Sequence, residues 1–204
     1  QRRDFHYLLY GGIQGRTREL GNSGQVGVSD LMLAETDMDC FYWINVPGFE
    51  PKDTKGGVRQ PCFTDPAFRK EIDAYFAKIG AQARRQQPMG VIEVDEWEYM
   101  GYRWGESQEN LCHSPTCLTA YREFLRKEYG DLEALNRERD AAYKDWEEVR
   151  PIGVKDAKAR ANKAPLVDLW RFNEWKVADF LGFVEKSYQA QCPGIRVGLS
   201  GTRP

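Results

Sequence analysis

The segment that decides the fold is Val91-Ile92-Glu93-Val94-Asp95-Glu96-Trp97-Glu98-Tyr99. It follows the turn-forming run 88–90, begins with β-branched residues and carries the chain directly into Asp95 and Glu96. This pattern predicts a short strand whose carboxyl end presents a cluster of acidic side chains. Ligands and catalytic groups lie at the carboxyl ends of strands in sheets that are flanked by helices. Glu96 is therefore the leading candidate for a catalytic residue.

The segments around this strand alternate between strand patterns and helix patterns. The apolar run 39–46 predicts a strand that is buried on both faces, and Asp65 followed by Pro66 predicts the start of a helix that ends near Arg85. The order strand, helix, strand is typical of a parallel βαβ unit, so the fold class is α/β. The other predicted elements are strands at 5–10 and 195–200, a loop over 14–27, and helices over 28–36, after Ser114-Pro115, over 132–139 and over 165–191.

The long helix predicted over 165–191 has an apolar stripe at spacings of three and four residues. Asn173 is its one polar interruption. Trp170 and Trp175 lie on this helix, and we expect both of them in the core. The predicted stripe consists of Leu166, Leu169, Trp170, Val177, Phe180, Leu181 and Val184.

Length and composition indicate an ordinary globular protein. With 204 residues, 41% of them hydrophobic and 29% charged, the chain can bury a substantial core, so we predict one domain over residues 1–204. A net charge of -2 without a basic segment gives no indication of a nucleic-acid partner. No apolar run approaches the ~20 residues that cross a bilayer, so no membrane partner is expected. The six Trp residues suit either core packing or stacking on sugar rings.

The acidic cluster has the composition that glycosidic bond cleavage requires. One carboxyl group must protonate the leaving oxygen, and a second must act as nucleophile or activate water. Negative neighbours such as Glu93, Asp95 and Glu98 raise the pKa of an acid at Glu96. Strand alternation separates Glu96 from Glu93 and Asp95 unless the strand end twists or bulges. A solvated acidic loop is the alternative interpretation.

The five cysteines are too few for a disulfide scaffold in a chain of this size. Cys112 and Cys117 flank His113, and Cys62 comes earlier in the chain. Two Cys and a His this close together are suited to Zn²⁺, with Cys62 as a further ligand. The spacing is unusual for a zinc finger, so a disulfide or free thiols are the alternatives.

Taken in order, these motifs resemble the β-galactosidases of glycoside hydrolase family 42 and their relatives in the same clan. The resemblance covers about residues 59–202, and it rests on the order of the motifs more than on any one of them. The matching segments are 59–69, 94–96, 112–117, 121–125, 129–136, 145–149 with Pro151, and 170–172.

The resemblance implies a (β/α)₈ TIM barrel and retaining hydrolysis of a β-linked galactoside or similar sugar by two glutamates. Glu96 matches the acid/base at the end of the fourth strand, and Asp95 stands where an Asn is usual. We also expect Asp95 and Asn45, which lie near the carboxyl ends of their predicted strands, to help to hold the sugar, while Trp97 or Tyr99 stacks on it. The expected partner is thus a carbohydrate substrate.

The resemblance implies an incomplete barrel in this chain. The family's nucleophile is a Glu at the end of the seventh strand, and the match ends near the fifth strand. Only two strands are predicted before Val91, where the family has three. We therefore expect a larger protein, with a homo-oligomer or an additional polypeptide completing the barrel. A retaining mechanism that has been lost or a nucleophile replaced from elsewhere in the chain would also account for this pattern.

The implied chemistry requires no cofactor, but relatives carry a zinc site made of four cysteines. Cys62, Cys112 and Cys117 match three of them, and Ser114 replaces the third in order. A structural Zn²⁺ is therefore expected on the three cysteines, with His113 as a substitute ligand. Two other functions stay open: a non-catalytic carbohydrate-binding relative, and a structural or assembly subunit. The sequence predicts no cellular compartment.

Overall fold

A computed structural model describes residues 8–9, 23–27, 39–44, 58–59, 61–86, 88, 90–95 and 111–200. Its strands form a five-stranded sheet in the order β1-β2-β3-β4-β5, and every neighbouring pair is parallel. This arrangement confirms the α/β class. The strands are β1 (Leu8–Leu9), β2 (Ser23–Gly27), β3 (Asp39–Ile44), β4 (Gly90–Asp95) and β5 (Val197–Ser200).

The helices begin where the capping residues predict. Ser114 caps its helix by accepting a hydrogen bond from the Cys117 N–H, and Gly130 ends that helix with a φ of 79°. Asp131 caps the next helix through the N–H of Ala134. None of the described helices is both long and apolar enough to cross a membrane. The helices are α1 (Pro66–Gln86), α2 (Pro115–Tyr129), α3 (Leu132–Arg139), α4 (Val154–Ala159) and α5 (Ala164–Gln191), with a 3₁₀ turn at Trp146–Glu148.

Strand β2 corrects the sequence prediction, because it lies inside the stretch 14–27 that was expected to be a loop. Val26 is the one β-former among its five residues, so local propensity gives no strand signal. Its backbone pairs with β1 on one side and β3 on the other, and the hydrogen bonds of these two ladders stabilise a strand that its side chains do not favour. Among the described residues, three strands therefore precede Val91, and β4 is the fourth. The predicted count of two was wrong, while the helix predicted over 28–36 lies outside the described residues.

The end of β4 is irregular at the point where the sequence left alternation open. Glu93 pairs with Leu199 of β5, and Asp95 pairs with Ser200, so two residues of β4 advance against one residue of β5. Such a bulge bends a strand and breaks the simple alternation of its faces. Strand β4 therefore leads into Glu96 from a bulge.

The long helix α5 confirms the predicted helix and corrects its stripe. Leu169 and Phe180 are buried, as expected, but Trp170 is 41% exposed. The stripe passes through Lys176, which is 2% exposed, where apolar spacing alone had selected Val177. Trp175 is partly buried and packs against the core cluster that contains the cysteines. The expectation that Trp170 belongs to the core was wrong, because Trp170 lies one residue off the buried face.

The chain divides into two compact units. The first unit contains the sheet, and the second contains Cys62, Cys112 and Cys117 together with α2, α3 and α4. In the first unit α1 and α5 approach closely, since a Cβ at Gly80 would lie 2.3 Å from the Cβ of Gln191. The single domain predicted from chain length stays a prediction. The first unit comprises Gln1–Pro47, Glu71–Trp97 and Phe183–Pro204, and the second Gly48–Lys70 and Glu98–Gly182.

Candidate functional sites

The predicted catalytic and substrate-binding residues follow two neighbouring strands. Strand β3 ends at Ile44, directly before Asn45, and β4 ends at Asp95, directly before Glu96. Because β3 and β4 are parallel neighbours, their carboxyl ends share one edge of the sheet. Only the backbone of Asp95 is described here. The candidates Glu96, Asn45, Trp97 and Tyr99 lie outside the described residues.

The described residues bring Cys62, Cys112 and Cys117 together in a buried sulfur cluster. Their side-chain sulfurs all lie within 4.8 Å of one another, and the Sγ atoms of Cys62 and Cys112 are 3.7 Å apart. The three residues are 7%, 3% and 1% exposed. Cys62 precedes α1, Cys112 precedes α2, and Cys117 lies in the first turn of α2. The cluster thus joins the approach to one helix with the start of another.

Ser114 lies inside the sulfur cluster as well as at the N-cap of α2. Its Oγ is 3.3 Å from the Sγ of Cys62 and 3.4 Å from the Sγ of Cys112, and it accepts the Cys117 N–H at 3.2 Å. Pro115 at the first helical position holds this turn. Thr64 adds a second hydroxyl, 3.1 Å from the Sγ of Cys62. The residue that replaces a cysteine in the motif therefore contacts two of the three sulfurs.

Lys176 places a positive charge beside this cluster, and sequence reasoning missed it. Its Nζ lies 3.9 Å from the Sγ of Cys117, and the side chain is almost fully buried. The Nζ also lies 5.1 Å from the centre of the Phe172 ring. The signal that would have found Lys176 is its position in the periodic stripe of α5, four residues after Phe172 and four before Phe180.

The thiols of the cluster differ in acidity in the absence of metal. Hydrogen bonds from Cys112, and then from Cys117, hold the pKa of Cys62 far below its ordinary value, although burial opposes them. Hydrogen bonds with Cys112 and Cys62, together with burial, raise the pKa of Cys117 despite the nearby Lys176. The shared hydrogen bonds therefore lower the pKa of Cys62 and raise the pKa of Cys117.

The substitute zinc ligand that the sequence suggests, His113, does not join the sulfur cluster. His113 lies with its Nε2 3.4 Å from the carbonyl oxygen of Pro151, and the group of mutually close ligand atoms in the described residues contains only the three sulfurs. Cys62, Cys112, Cys117 and Cys192 are free thiols. The disulfide alternative for Cys62, Cys112 and Cys117 is therefore not what the structure shows.

Solved structures similar to this chain include a beta-galactosidase and an exo-beta-agarase. A beta-galactosidase from Rahnella sp. R3 has a TM-score of 0.65 and 17% identity, and the match covers 90% of this chain and 32% of that protein. An exo-beta-agarase has a TM-score of 0.64 and 17% identity, covering 90% of this chain and 28% of that protein. The chain thus has the (β/α)₈ TIM-barrel fold in part, since the described residues contain five parallel strands of the eight in a whole barrel.

The sequence defines the family within that fold. The family model for glycoside hydrolase family 42, described as Beta-galactosidase, matches residues 49–199, and the chain belongs to this family. Beta-galactosidase BgaA of a Thermus species is 26% identical over 144 residues, which are 68% of this chain and 21% of that protein. The chain spans about a fifth of the length of this relative and about a third of the Rahnella structure.

Proposed function

We propose that this chain carries the acid/base part of the active site of a retaining glycoside hydrolase that cleaves a β-linked galactoside or a similar sugar. The observation that carries the proposal is the position of Glu96, directly after the fourth strand of a parallel sheet in a family 42 chain. Side chains at the carboxyl ends of barrel strands perform the chemistry of such enzymes.

Each candidate has a separate task in this mechanism. Glu96 protonates the leaving glycosidic oxygen and afterwards takes a proton from the attacking water. Asp95 and Asn45 hold hydroxyl groups of the sugar, and Trp97 or Tyr99 packs its ring against the sugar face. A second carboxylate, about 5–5.5 Å from the first, is the nucleophile in retaining enzymes, and we assign it to no residue of this chain.

The variant Glu96→Gln tests the proposal in the intact protein that contains this chain. We expect kcat/KM for an alkyl β-galactoside to fall about 10²–10⁴-fold, because its leaving oxygen needs a proton that Gln cannot donate. The matched control is Glu123→Gln, which makes the same chemical change at an exposed position on α2. Unchanged turnover in Glu96→Gln contradicts the assignment. A wild-type protein that binds sugar without hydrolysing it would favour a non-catalytic carbohydrate-binding function. A wild-type protein that neither binds nor hydrolyses sugar would favour a role as an assembly subunit.

We also propose that the sulfur cluster binds a structural Zn²⁺. With Zn–S bonds of about 2.3 Å, a tetrahedral site separates neighbouring sulfurs by about 3.8 Å. The 3.7 Å between the Sγ atoms of Cys62 and Cys112 is compatible with that separation, and thiolates are preferred zinc ligands. The ion would tie the approach to α1 to the start of α2 and would add to folding stability, with no part in the reaction.

The zinc proposal predicts one bound Zn²⁺ per chain and a melting temperature that falls when a chelator removes it. Cys117→Ser should reduce zinc binding, because it removes the thiolate in the first turn of α2. Cys192→Ser is the control, since Cys192 is a free thiol outside the cluster. Failure of the wild-type chain to bind zinc stoichiometrically contradicts this proposal and leaves the assignment of Glu96 untouched.

A further inference from the structure

We infer that the hydroxyl oxygen of Ser114 is the fourth ligand of the zinc site, completing a tetrahedron with the three cysteine sulfurs. The inference rests on the proposed binding of Zn²⁺ and concerns the coordination position that the cysteines leave open. Structural zinc sites in proteins are closed by four protein ligands. Cys62, Cys112 and Cys117 supply three of them, so the fourth is either another side chain or a water molecule.

The Oγ of Ser114 lies at the distance from two sulfurs that a fourth ligand requires. It is 3.3 Å from the Sγ of Cys62 and 3.4 Å from the Sγ of Cys112. With a Zn–S bond of about 2.3 Å and a Zn–O bond of about 2.0 Å, a tetrahedral ion places its oxygen ligand about 3.5 Å from each sulfur. Both observed distances are close to that separation, so Ser114 would move little on binding an ion held by the same sulfurs.

The hydrogen bonds of Ser114 leave one lone pair for a metal ion. A hydroxyl group has two lone pairs and one proton. One lone pair accepts the N–H of Cys117 at 3.2 Å, the hydrogen bond that caps α2. The Oγ1 of Thr116, 3.4 Å away, can accept the proton, so the oxygen keeps it when it binds the ion. The second lone pair is then available to Zn²⁺, and one oxygen both caps the helix and binds the metal.

The other polar groups near the cluster are less well placed for this position. The ring of His113 lies outside the group of mutually close ligand atoms. The Oγ1 atoms of Thr64 and Thr116 contact the sulfur of Cys62 and, in the described hydrogen bonds, no second sulfur. Ser114 contacts two, and it is buried together with the cysteines. Because burial separates this position from bulk water, a side-chain ligand is favoured over a water molecule.

The test is the zinc affinity of Ser114→Gly in the full chain, measured by competition with a coloured chelator. Gly is well tolerated at an N-cap, so this variant loses the hydroxyl and keeps the start of α2. We expect the zinc dissociation constant to rise about 10–100-fold, the scale seen when polar groups are removed from metal sites. The matched control is Thr64→Val, which removes a hydroxyl that contacts the sulfur of Cys62. It should raise the constant less, because it loses a weak hydrogen bond and no ligand.

A second readout shows whether the hydroxyl or a water molecule holds the fourth position. Co²⁺ bound in place of zinc has visible absorption bands that change when one of its ligands is exchanged. Azide is a small anion that displaces a water ligand, and it is added to the Co²⁺ form of each protein. We expect azide to change the spectrum of Ser114→Gly, where the position is open, and to leave the spectrum of the wild type unchanged.

Three other results overturn the inference while the zinc site stands. Azide binding to the wild type would identify water as the fourth ligand, and no azide binding to Ser114→Gly would mean that removing the hydroxyl opens no position. A zinc affinity in Ser114→Gly no lower than in Thr64→Val would make Ser114 only a hydrogen-bond partner of the sulfurs. A wild-type chain that binds no zinc overturns both proposals. If circular dichroism shows that Ser114→Gly is unfolded, Ser114→Ala replaces it under the same criteria.

Discussion

Two buried polar clusters lie in the described residues of the second unit, and they differ in the charges of their side chains. In one, Arg139 pairs with Asp168, and the side chains of the pair are only 1% and 2% exposed. Asp168 also accepts a hydrogen bond from the Tyr129 hydroxyl at 2.9 Å, and Arg139 donates to the Tyr121 hydroxyl at 2.7 Å. The other is the sulfur cluster, where the thiols of Cys62 and Cys112 make weak hydrogen bonds with the hydroxyls of Thr64 and Ser114.

The difference shows in which cluster the charges compensate each other without a ligand. Arg139 and Asp168 have opposite unit charges, and strong hydrogen bonds join them. The sulfur cluster has contacts of 3.1–4.0 Å between thiols and hydroxyls, and the buried Lys176 lies beside it. The first cluster is therefore a structural ion pair, whereas the second has the composition of a site that a metal ion completes.

The largest change in stability is expected where the Arg139–Asp168 pair loses one of its two charges. Asp168→Asn keeps the shape of the side chain and an oxygen for Tyr129, but it leaves the Arg139 guanidinium buried without its counter-charge. We expect the free energy of unfolding to fall by about 3–5 kcal/mol, measured by urea denaturation. The control Glu174→Gln, at an exposed position of the same helix, should change it by less than about 0.5 kcal/mol. A loss in Asp168→Asn as small as in that control would mean that the pair is not essential.

A smaller effect is expected from titration of the same cluster. Burial raises the pKa of Tyr121 to about 12, although Arg139 opposes the shift. Since this pKa is higher in the folded than in the unfolded chain, the associated stability is complete below pH ~10 and is lost as the pH rises towards ~12. The expected loss is about 2–3 kcal/mol, followed by urea unfolding across that range.

Tyr121→Phe is the comparison for this titration, because it keeps the ring and removes the ionisable hydroxyl. Tyr129, whose pKa burial and its hydrogen bond to Asp168 also raise, is present in both proteins. The stability of the variant should therefore fall less steeply with pH over the same interval. Parallel pH profiles in the two proteins would show that Tyr121 ionises as freely in the folded chain as in the unfolded chain.

The two clusters also differ in how far the sequence predicts them. Cysteines are rare, so Cys62, Cys112 and Cys117 attract attention, and the family motif adds Ser114. Arg139 looks like an ordinary basic residue in the last turn of a helix, where it would interact with the helix dipole. Only tertiary packing brings it to Asp168, which is 29 residues away. The Arg139–Asp168 pair therefore has no local pattern in the sequence, whereas the position of Lys176 in the periodic stripe of α5 is a local signal.

Prediction of the fold from the sequence is limited in the same way, because it depends on local signals. Capping residues fixed the starts of α1, α2 and α3 correctly, because an Asp or Ser side chain before a helix acts on the adjacent backbone. Strand β2 was missed, since its residues have little propensity and its neighbours supply the pairing. The alignment of Glu96 with the fourth strand came from the family resemblance. In the part of the chain that the structure describes, β4 is the fourth strand, as expected, and the role of Glu96 stays a prediction.

The smallest change in stability is expected at Ser114. For Ser114→Cys, the sign of the change in the free energy of unfolding should depend on whether zinc is bound. Ser114→Cys and Ser114→Ala both remove the hydroxyl that caps α2, so each should lower the free energy of unfolding by about 1 kcal/mol without zinc. Only the Cys variant offers a fourth thiolate, which should tighten zinc binding roughly tenfold or more.

Urea unfolding with and without zinc, beside a chelator competition, measures both effects of Ser114→Cys. With zinc, this variant should match or exceed the wild-type stability, while Ser114→Ala stays below it. Equal zinc affinity in the two variants would mean that residue 114 lies outside the reach of the ion. The Arg139–Asp168 cluster offers no such reversal, since its charges already compensate each other and no added cation can restore Asp168→Asn.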